Sequence, residues 1–295
     1  MRILMVPEVF LTKDRTPYPR HQTGLGLEDR AEEYFRNQKD AKIKRIFFPI
    51  KWTAYQIEAN YGHDERKMTK LRSYCKGIFA NGNKFFTVKQ ASLDKYFTIA
   101  QYDDGPLVEM GKNCRIFGAG GIGTDPIPLT TERHKEHGFR KEILASFLGS
   151  EGTHPIRKQM FDALKKEDLF IVEDVYTKRD NTPHFAEVTE KSCFTLCPRG
   201  YGKTSFRLYE AMQLGSVPVY ISDVHWLPYT QFVNWNKFCV LVKPEEIKDL
   251  SKRLRVLYAS GEYKVMAEAA KKVYEEYFCF ESMFKWILKI LQDEK

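Results

Sequence analysis

Residues 192–235 constrain this chain more than any other stretch, because they read as an anion site bracketed by two buried strands. The apolar run Cys193 to Leu196 ends at Pro198, and Arg199-Gly200-Tyr201-Gly202-Lys203 has the glycines and charges of a turn. A helix pattern starts at Thr204 or Ser205, both good N-cap residues, and runs through Leu214 to stop at Gly215. Val217 to Ile221 then reads as a second strand. In such a β-loop-α-β unit the first N–H groups of the helix lack partners and carry the positive end of its dipole, so a phosphate there is stabilised before any side chain helps. Arg199, Lys203 and Arg207 add full charges at that end.

Three readings compete for this unit. Gly202-Lys203-Thr204 has the end of a Walker loop, but that motif needs a glycine five residues before Gly202, where Cys197 stands. A plain βαβ unit with a solvated basic face would explain any one charge. Three cations at one helix start beside a glycine-rich turn favour diphosphate binding. Arg207 and Glu210, at i, i+3 spacing, either pair on the helix surface or divide the work, Glu210 accepting from a ribose while Arg207 faces phosphate.

These residues carry a resemblance to the exostosin-like (GT47-type) glycosyltransferases. Pro198-Arg199-Gly200, Ser205-Phe206-Arg207, Glu210-Ala211, Val217-Pro218-Val219, Trp226-Leu227-Pro228 and Asn234-Trp235 look like that family's nucleotide-sugar signature. Arg140-Lys141, Phe147-Leu148-Gly149 and Ile156-Arg157 are similar to the opening of its second domain. Looser likenesses, at Phe47-Phe48-Pro49 and from Tyr96-Phe97 to Asp103-Asp104, reach into the first half. The compact build is similar to the exostosin-like enzymes of large algal viruses. The resemblance implies an α/β chain of GT-B fold, with two Rossmann-like domains whose parallel sheets face a central cleft. It also implies inverting transfer from a UDP-sugar to a glycan hydroxyl, without a required metal. Its donor site would comprise Arg157, Pro198, Arg199, Gly200, Tyr201, Lys203, Thr204, Ser205, Arg207, Glu210 and Asp223. UDP-xylose is the first expectation for the donor, then UDP-glucuronate or UDP-galactose.

Size and composition agree with that frame. The 295 residues suffice for two cores, and 43% hydrophobic with 29% charged residues is the balance of an ordinary globular protein. A net charge of +8 favours anionic ligands, but the charges are scattered, which argues against a nucleic-acid partner. The six cysteines include no C-x-x-C pair and no zinc spacing, and read as buried free thiols of a reducing compartment. MRILMVPEVFL is too brief an apolar run for a signal peptide and reads as a first strand, and no segment approaches a membrane span. The expected location is cytoplasmic, unless the chain is a soluble form of a secretory-pathway enzyme.

In the first half, strands at Arg2 to Val6, Arg45 to Pro49 and Tyr96 to Ala100 alternate with helical patterns such as Gly26 to Asn37, the sign of a parallel sheet. Ligands bind at the carboxyl ends of such strands. Glu8, His21, Trp52 and Asp103-Asp104 lie near those ends. Gly118-Ala119-Gly120-Gly121-Ile122-Gly123 matches the dinucleotide fingerprint, but Pro126 and Pro128 stand where its helix must run, so it reads as a glycine turn. Composition shifts from Asp125 to Gly138, which suggests domains at 1–138 and 139–295. His134 and His137 in that charged stretch read as solvent-facing rather than as metal ligands. A helical apolar stripe, Met283, Phe284, Ile287, Leu288 and Leu291, marks a last helix that packs into a core, possible for GT-B in the first domain.

An inverting transfer needs a base for the acceptor hydroxyl and positive charge for the departing UDP. The basic loop supplies the charge. The base is expected in the first domain, across the cleft, with Asp103 and Asp104 as candidates and His21 and Glu8 in reserve. One carboxylate beside another has its pKa raised, although Asp-Asp-Gly-Pro is also ordinary turn chemistry. Trp52 is a candidate for stacking on an acceptor sugar or for plain core packing. The rival function is a non-catalytic nucleotide- or glycan-binding module, which would keep the basic loop and lack a competent base.

Overall fold

A computed structural model of the chain describes residues 1–11, 25–61, 63–81, 95–175 and 182–294. Two compact units emerge, Met1–Ile127 together with Met283–Lys295, and Pro128–Ser282.

The first unit is built on five parallel strands in the order β1-β2-β3-β4-β5: β1 (Arg2–Ile3), β2 (Ile46–Phe47), β3 (Tyr96–Ala100), β4 (Cys114–Gly118) and β5 (Asp125–Pro126). β1 and β2 are shorter than the apolar runs that announce them. Helix α1 (Leu27–Asn37) buries Leu27, Ala31 and Phe35, the i, i+4, i+8 stripe of an amphipathic helix. The Phe35 ring packs on Phe47 and Phe97, at 5.1 and 5.2 Å, which are register partners on one face of the sheet. Residues of the opposite parity face α2 (Trp52–Tyr61) and α3 (Glu65–Asn81), with Phe48, Trp52, Tyr55, Met68 and Leu71 in one core. The last helix, named below, joins this unit from Met283 onward, and its Phe284 packs on Tyr34 at 5.4 Å.

The second unit holds β6 (Ile143–Gly149), α4 (Pro155–Leu164), β7 (Phe170–Asp174), α5 (Thr182–Lys191), β8 (Ser192–Pro198), α6 (Phe206–Gln213), β9 (Val217–Ile221), β10 (Val240–Val242), α7 (Leu250–Ala259) and α8 (Glu262–Val273). A π-helical turn, Tyr274–Phe278, separates α8 from α9 (Phe280–Gln292). All strand pairs are parallel and the order is β7-β6-β8-β9-β10. β8 and β9 are buried along their whole length, as strands covered on both faces must be. The α6 terminus shows why the sequence breaks at Gly215. The amide of Gly215 (φ 64°) donates to Met212 O and that of Ser216 to Ala211 O, a Schellman closure that a side chain at Gly215 would strain.

The division between units falls at Ile127/Pro128, whereas composition alone suggested 138/139. The stretch between is tied into the second unit: Thr130 Oγ1 meets Tyr274 OH, the His134 amide donates to Gln213 Oε1, and the amides of His137, Gly138 and Phe139 converge on the Glu190 carboxylate.

Candidate functional site

The second sheet has the doubly wound order 2-1-3-4-5, in which successive crossovers leave β6 in opposite directions. The loops after β6 and β8 therefore part and open a crevice at the carboxyl edge, where ligands of this topology bind. Gly149 to His154 and Pro198 to Ser205 are those loops.

Arg157, buried on the first turn of α4, fastens them together. Its Nε donates to Arg199 O (2.9 Å), Nη1 to Ser150 O (2.9 Å) and Nη2 to Pro198 O (3.3 Å). The guanidinium passes so close to the second loop that a Cβ on Gly200 would lie 3.1 Å from Nη2. Arg157, expected as a diphosphate ligand, thus directs these donors to main-chain carbonyls. Arg199 is oriented by Asp223, with Nη1 to Oδ1 at 2.7 Å, and by Gly202 O at 3.1 Å. That pair holds the Asp223 carboxyl below the usual range.

Arg207, on the first turn of α6, lies over the Phe147 ring at 4.9 Å and 5.7 Å from Phe185, with Nε on Leu148 O (2.7 Å). Arg157 sits 5.4 Å from the same Phe147 ring, so one aromatic side chain carries two guanidinium groups. Burial pulls Arg207 below the arginine range while Glu210 opposes the shift. Glu210, expected to pair with Arg207 or accept from a ribose, is buried and bonds His134 Nε2 through Oε1 at 3.1 Å. Helix α6 begins after Ser205, the predicted N-cap, though its hydroxyl makes no capping bond. Thr204 and Ser205 are buried, Tyr201 is 73% exposed, and Lys203 Nζ lies 5.2 Å over the Trp226 ring.

One histidine that the sequence did not point to, and one that it misplaced, bear on these elements. His154 is the N-cap of α4, its Nδ1 accepting from the Ile156 amide at 3.3 Å. Burial, then Arg199, hold it below the histidine range, with Asp223 opposing. His-Pro before an apolar run is a helix-start signal that would have placed it. His134 corrects an expectation. It is buried on Glu210 rather than solvent-facing, because the segment that composition marked as a connection lies against α6. His137 is 44% exposed, as expected.

In the first unit, Asp103 and Asp104 occupy a tight turn after β3, closed by the Gly105 amide on Tyr102 O (2.9 Å), with Asp104 exposed and Asp103 less so. The glycine run packs against it: a Cβ on Gly120 would meet Asp103 Cα at 2.6 Å and Gln101 O at 2.7 Å. After these glycines comes β5 and no helix, so the dinucleotide reading is excluded. Trp52 is fully buried, its Nε1 on Thr98 Oγ1 at 2.8 Å, and belongs to the core rather than to a sugar platform. Glu8 is exposed in a 3-10 turn, and His21 lies outside the described residues. All six cysteines are buried and free. Among the described residues no group of three or more His, Cys, Asp or Glu side chains is arranged to hold a metal, and no helix is long and apolar enough to cross a membrane.

Two parallel-sheet α/β units of Rossmann-like build define the class, that of the GT-B fold. Residues 124–257 match the profile of the Exostosin GT47 domain. A probable glycosyltransferase of Arabidopsis thaliana is 32% identical over 201 residues, covering 68% of this chain and 38% of that protein. The Exostosin-1 homolog of Caenorhabditis elegans is 31% identical over 114 residues, covering 37% of this chain and 30% of that protein. The matched part thus spans less than half the length of these relatives. Among solved structures, Anabaena Alr3699/HepE in complex with UDP aligns with 90% of this chain and 82% of its own, at 9% identity and a TM-score of 0.41. These matches support an exostosin-like GT47 domain over residues 124–257.

Proposed function

We propose that this chain is a glycosyltransferase that takes a sugar from a UDP-sugar and transfers it to a hydroxyl of a glycan acceptor with inversion. The observation that carries the reading is that Arg199, Lys203, Arg207 and the start of α6 follow one another directly after β8, beside the point where the second sheet reverses its winding. The acceptor oxygen attacks the anomeric carbon, and the bond from that carbon to the diphosphate breaks with its electron pair leaving on UDP. The protein's cations and the helix dipole stabilise that developing charge, so the reaction needs no divalent ion. Arg157 holds the loops at a fixed separation, and Glu210 with His134 presents a buried acceptor for a donor hydroxyl. The proton goes to a carboxylate of the Asp103–Asp104 turn. UDP-xylose is the first donor to try, then UDP-glucuronate and UDP-galactose.

The test is a panel of UDP-sugars scored for thermal stabilisation and for UDP release with and without simple glycan acceptors. A ligand at 100 times its Kd stabilises by about 2.7 kcal/mol. Stabilisation without UDP release under any condition would point to a binding module instead.

A further inference from the structure

The carboxylate of Glu28 accepts hydrogen bonds from two separate segments of the first unit. It stands on the first turn of α1, 8% exposed. Oε1 accepts from Thr53 Oγ1 (2.7 Å), the Thr53 amide (3.1 Å) and the Gln101 amide (3.0 Å), and Oε2 accepts from the Thr53 amide (3.0 Å). Thr53 lies at the head of α2, just past β2, and Gln101 is the first residue past β3. One side chain therefore joins the heads of α1 and α2 to the carboxyl end of β3.

Gln101 leads straight into the turn that carries Asp103 and Asp104. The far end of that turn is strapped by a neutral group: Gln56 Nε2 donates to Gly105 O (2.9 Å) and its Oε1 accepts from the Leu107 amide (2.6 Å). The glycine run closes a third side at Gly120. Of these restraints only Glu28 can change charge. Its partners are two backbone N–H donors and a hydroxyl, so an amide in its place would aim an NH₂ at another donor, and a protonated carboxyl loses acceptor capacity where it is needed. The helix dipole favours the ionised form here.

We propose that Glu28 is the positioning residue of the Asp103–Asp104 turn, a buried carboxylate that fastens the turn and the head of α2 to α1 and loosens both when it takes up a proton. The inference rests on the transferase reading only for its catalytic consequence. The charge facing Glu28 is Lys51, whose ammonium donates to Glu28 O (3.0 Å) and pairs with Asp29 (3.0 Å) and Glu32 (2.7 Å), Glu32 also binding Arg36. From α2 and from the end of β3 it is faced by uncharged Thr53 and Gln101. Burial pushes its pKa up to about 7 against the hydrogen bonds and Lys51, which places the proton uptake within reach of ordinary buffers.

The backbone amide resonances of Thr53 and Gln101, followed from pH 5 to 9 in the intact chain (~4 units), should move with one shared midpoint in the wild type and stay flat in Glu28→Gln. Flat wild-type amides would overturn the clamp whether or not the variant folds. In UDP release from the UDP-sugar that the wild type uses best, Glu28→Gln should lower kcat by about tenfold or more. KM and UDP affinity should hold within about twofold, and the acid limb of the kcat–pH profile that shares the midpoint of the Thr53 and Gln101 amides should vanish, leaving only that of the base. Wild-type kcat with an unchanged pH profile would equally overturn it. If the wild type releases no UDP at all, the transferase reading falls, while the amide titration, which needs no substrate, still decides the clamp.

Discussion

The guanidinium of Arg207 lies in the space that a side chain on Gly149 would occupy: a Cβ there would overlap Nη2 and stand 2.7 Å from Cζ and 2.9 Å from the Phe147 ring. The last residue of β6 is thus glycine because the arginine of α6 needs the room. Gly149→Ala should cost about 1–3 kcal/mol of stability, as overpacking does, and weaken UDP binding by displacing Arg207. Denaturant unfolding and calorimetry on the same preparation check both, and a variant as stable and as tight as wild type would refute the account.

Replacing Arg199 or Arg207 by Ala should weaken UDP binding by roughly 1.5–3 kcal/mol, the range of a charge-assisted hydrogen bond, with the fold retained. Arg207→Lys should recover little, because an ammonium has no planar face to lay on Phe147. Unaltered UDP affinity in both alanine variants would remove the diphosphate from this loop.

Turnover should persist in EDTA, the outcome expected of the proposed arrangement in which side chains and a helix terminus supply the positive charge for the leaving group. Loss of activity on chelation, restored by Mn²⁺, would contradict that arrangement.

Asp103→Asn and Asp104→Asn keep size and most hydrogen bonds but remove a basic carboxylate. One of them should lower kcat by about 10²-fold or more with UDP affinity little changed. Full activity in both would move the role of base elsewhere in the chain.

The unfolding free energy should decline as pH rises from the unfolded value of Glu28, 4.5, toward about 7. The cost of burying the charge outweighs what the Thr53 and Gln101 hydrogen bonds return, so the native state as a whole binds the proton more tightly even as the local clamp slackens, and the stabilisation is complete below 4.5 and lost through 7. The full effect is on the order of 3 kcal/mol. Glu28→Gln should flatten that limb, and an identical pH dependence in the variant would assign the slope to other groups.

Much of this was legible in the residues. β9 runs from Val217 to Ile221 and β3 from Tyr96 to Ala100, as the apolar runs require, and α6 ends at the glycine that signals its stop. What the sequence could not show were pairings at long separation. Nothing near Glu28 announces that Gln101 will bind it, and the charged surroundings of His134 conceal a burial set by α6, 76 residues away. The division between units was misplaced for the same reason: Pro128 to Gly138 is polar in composition, yet its amides and side chains are taken up by the second unit.

Arg157 makes the span between two loops a built dimension rather than a consequence of occupancy. With its donors on Ser150, Pro198 and Arg199, the ordering of those walls is settled as the chain folds, and a ligand need not supply it. The spacing of the two loops is in that sense preset by the fold. Redesign of what the chain accepts would therefore begin with the rim, at exposed Tyr201 and at Lys203, and leave the brace alone.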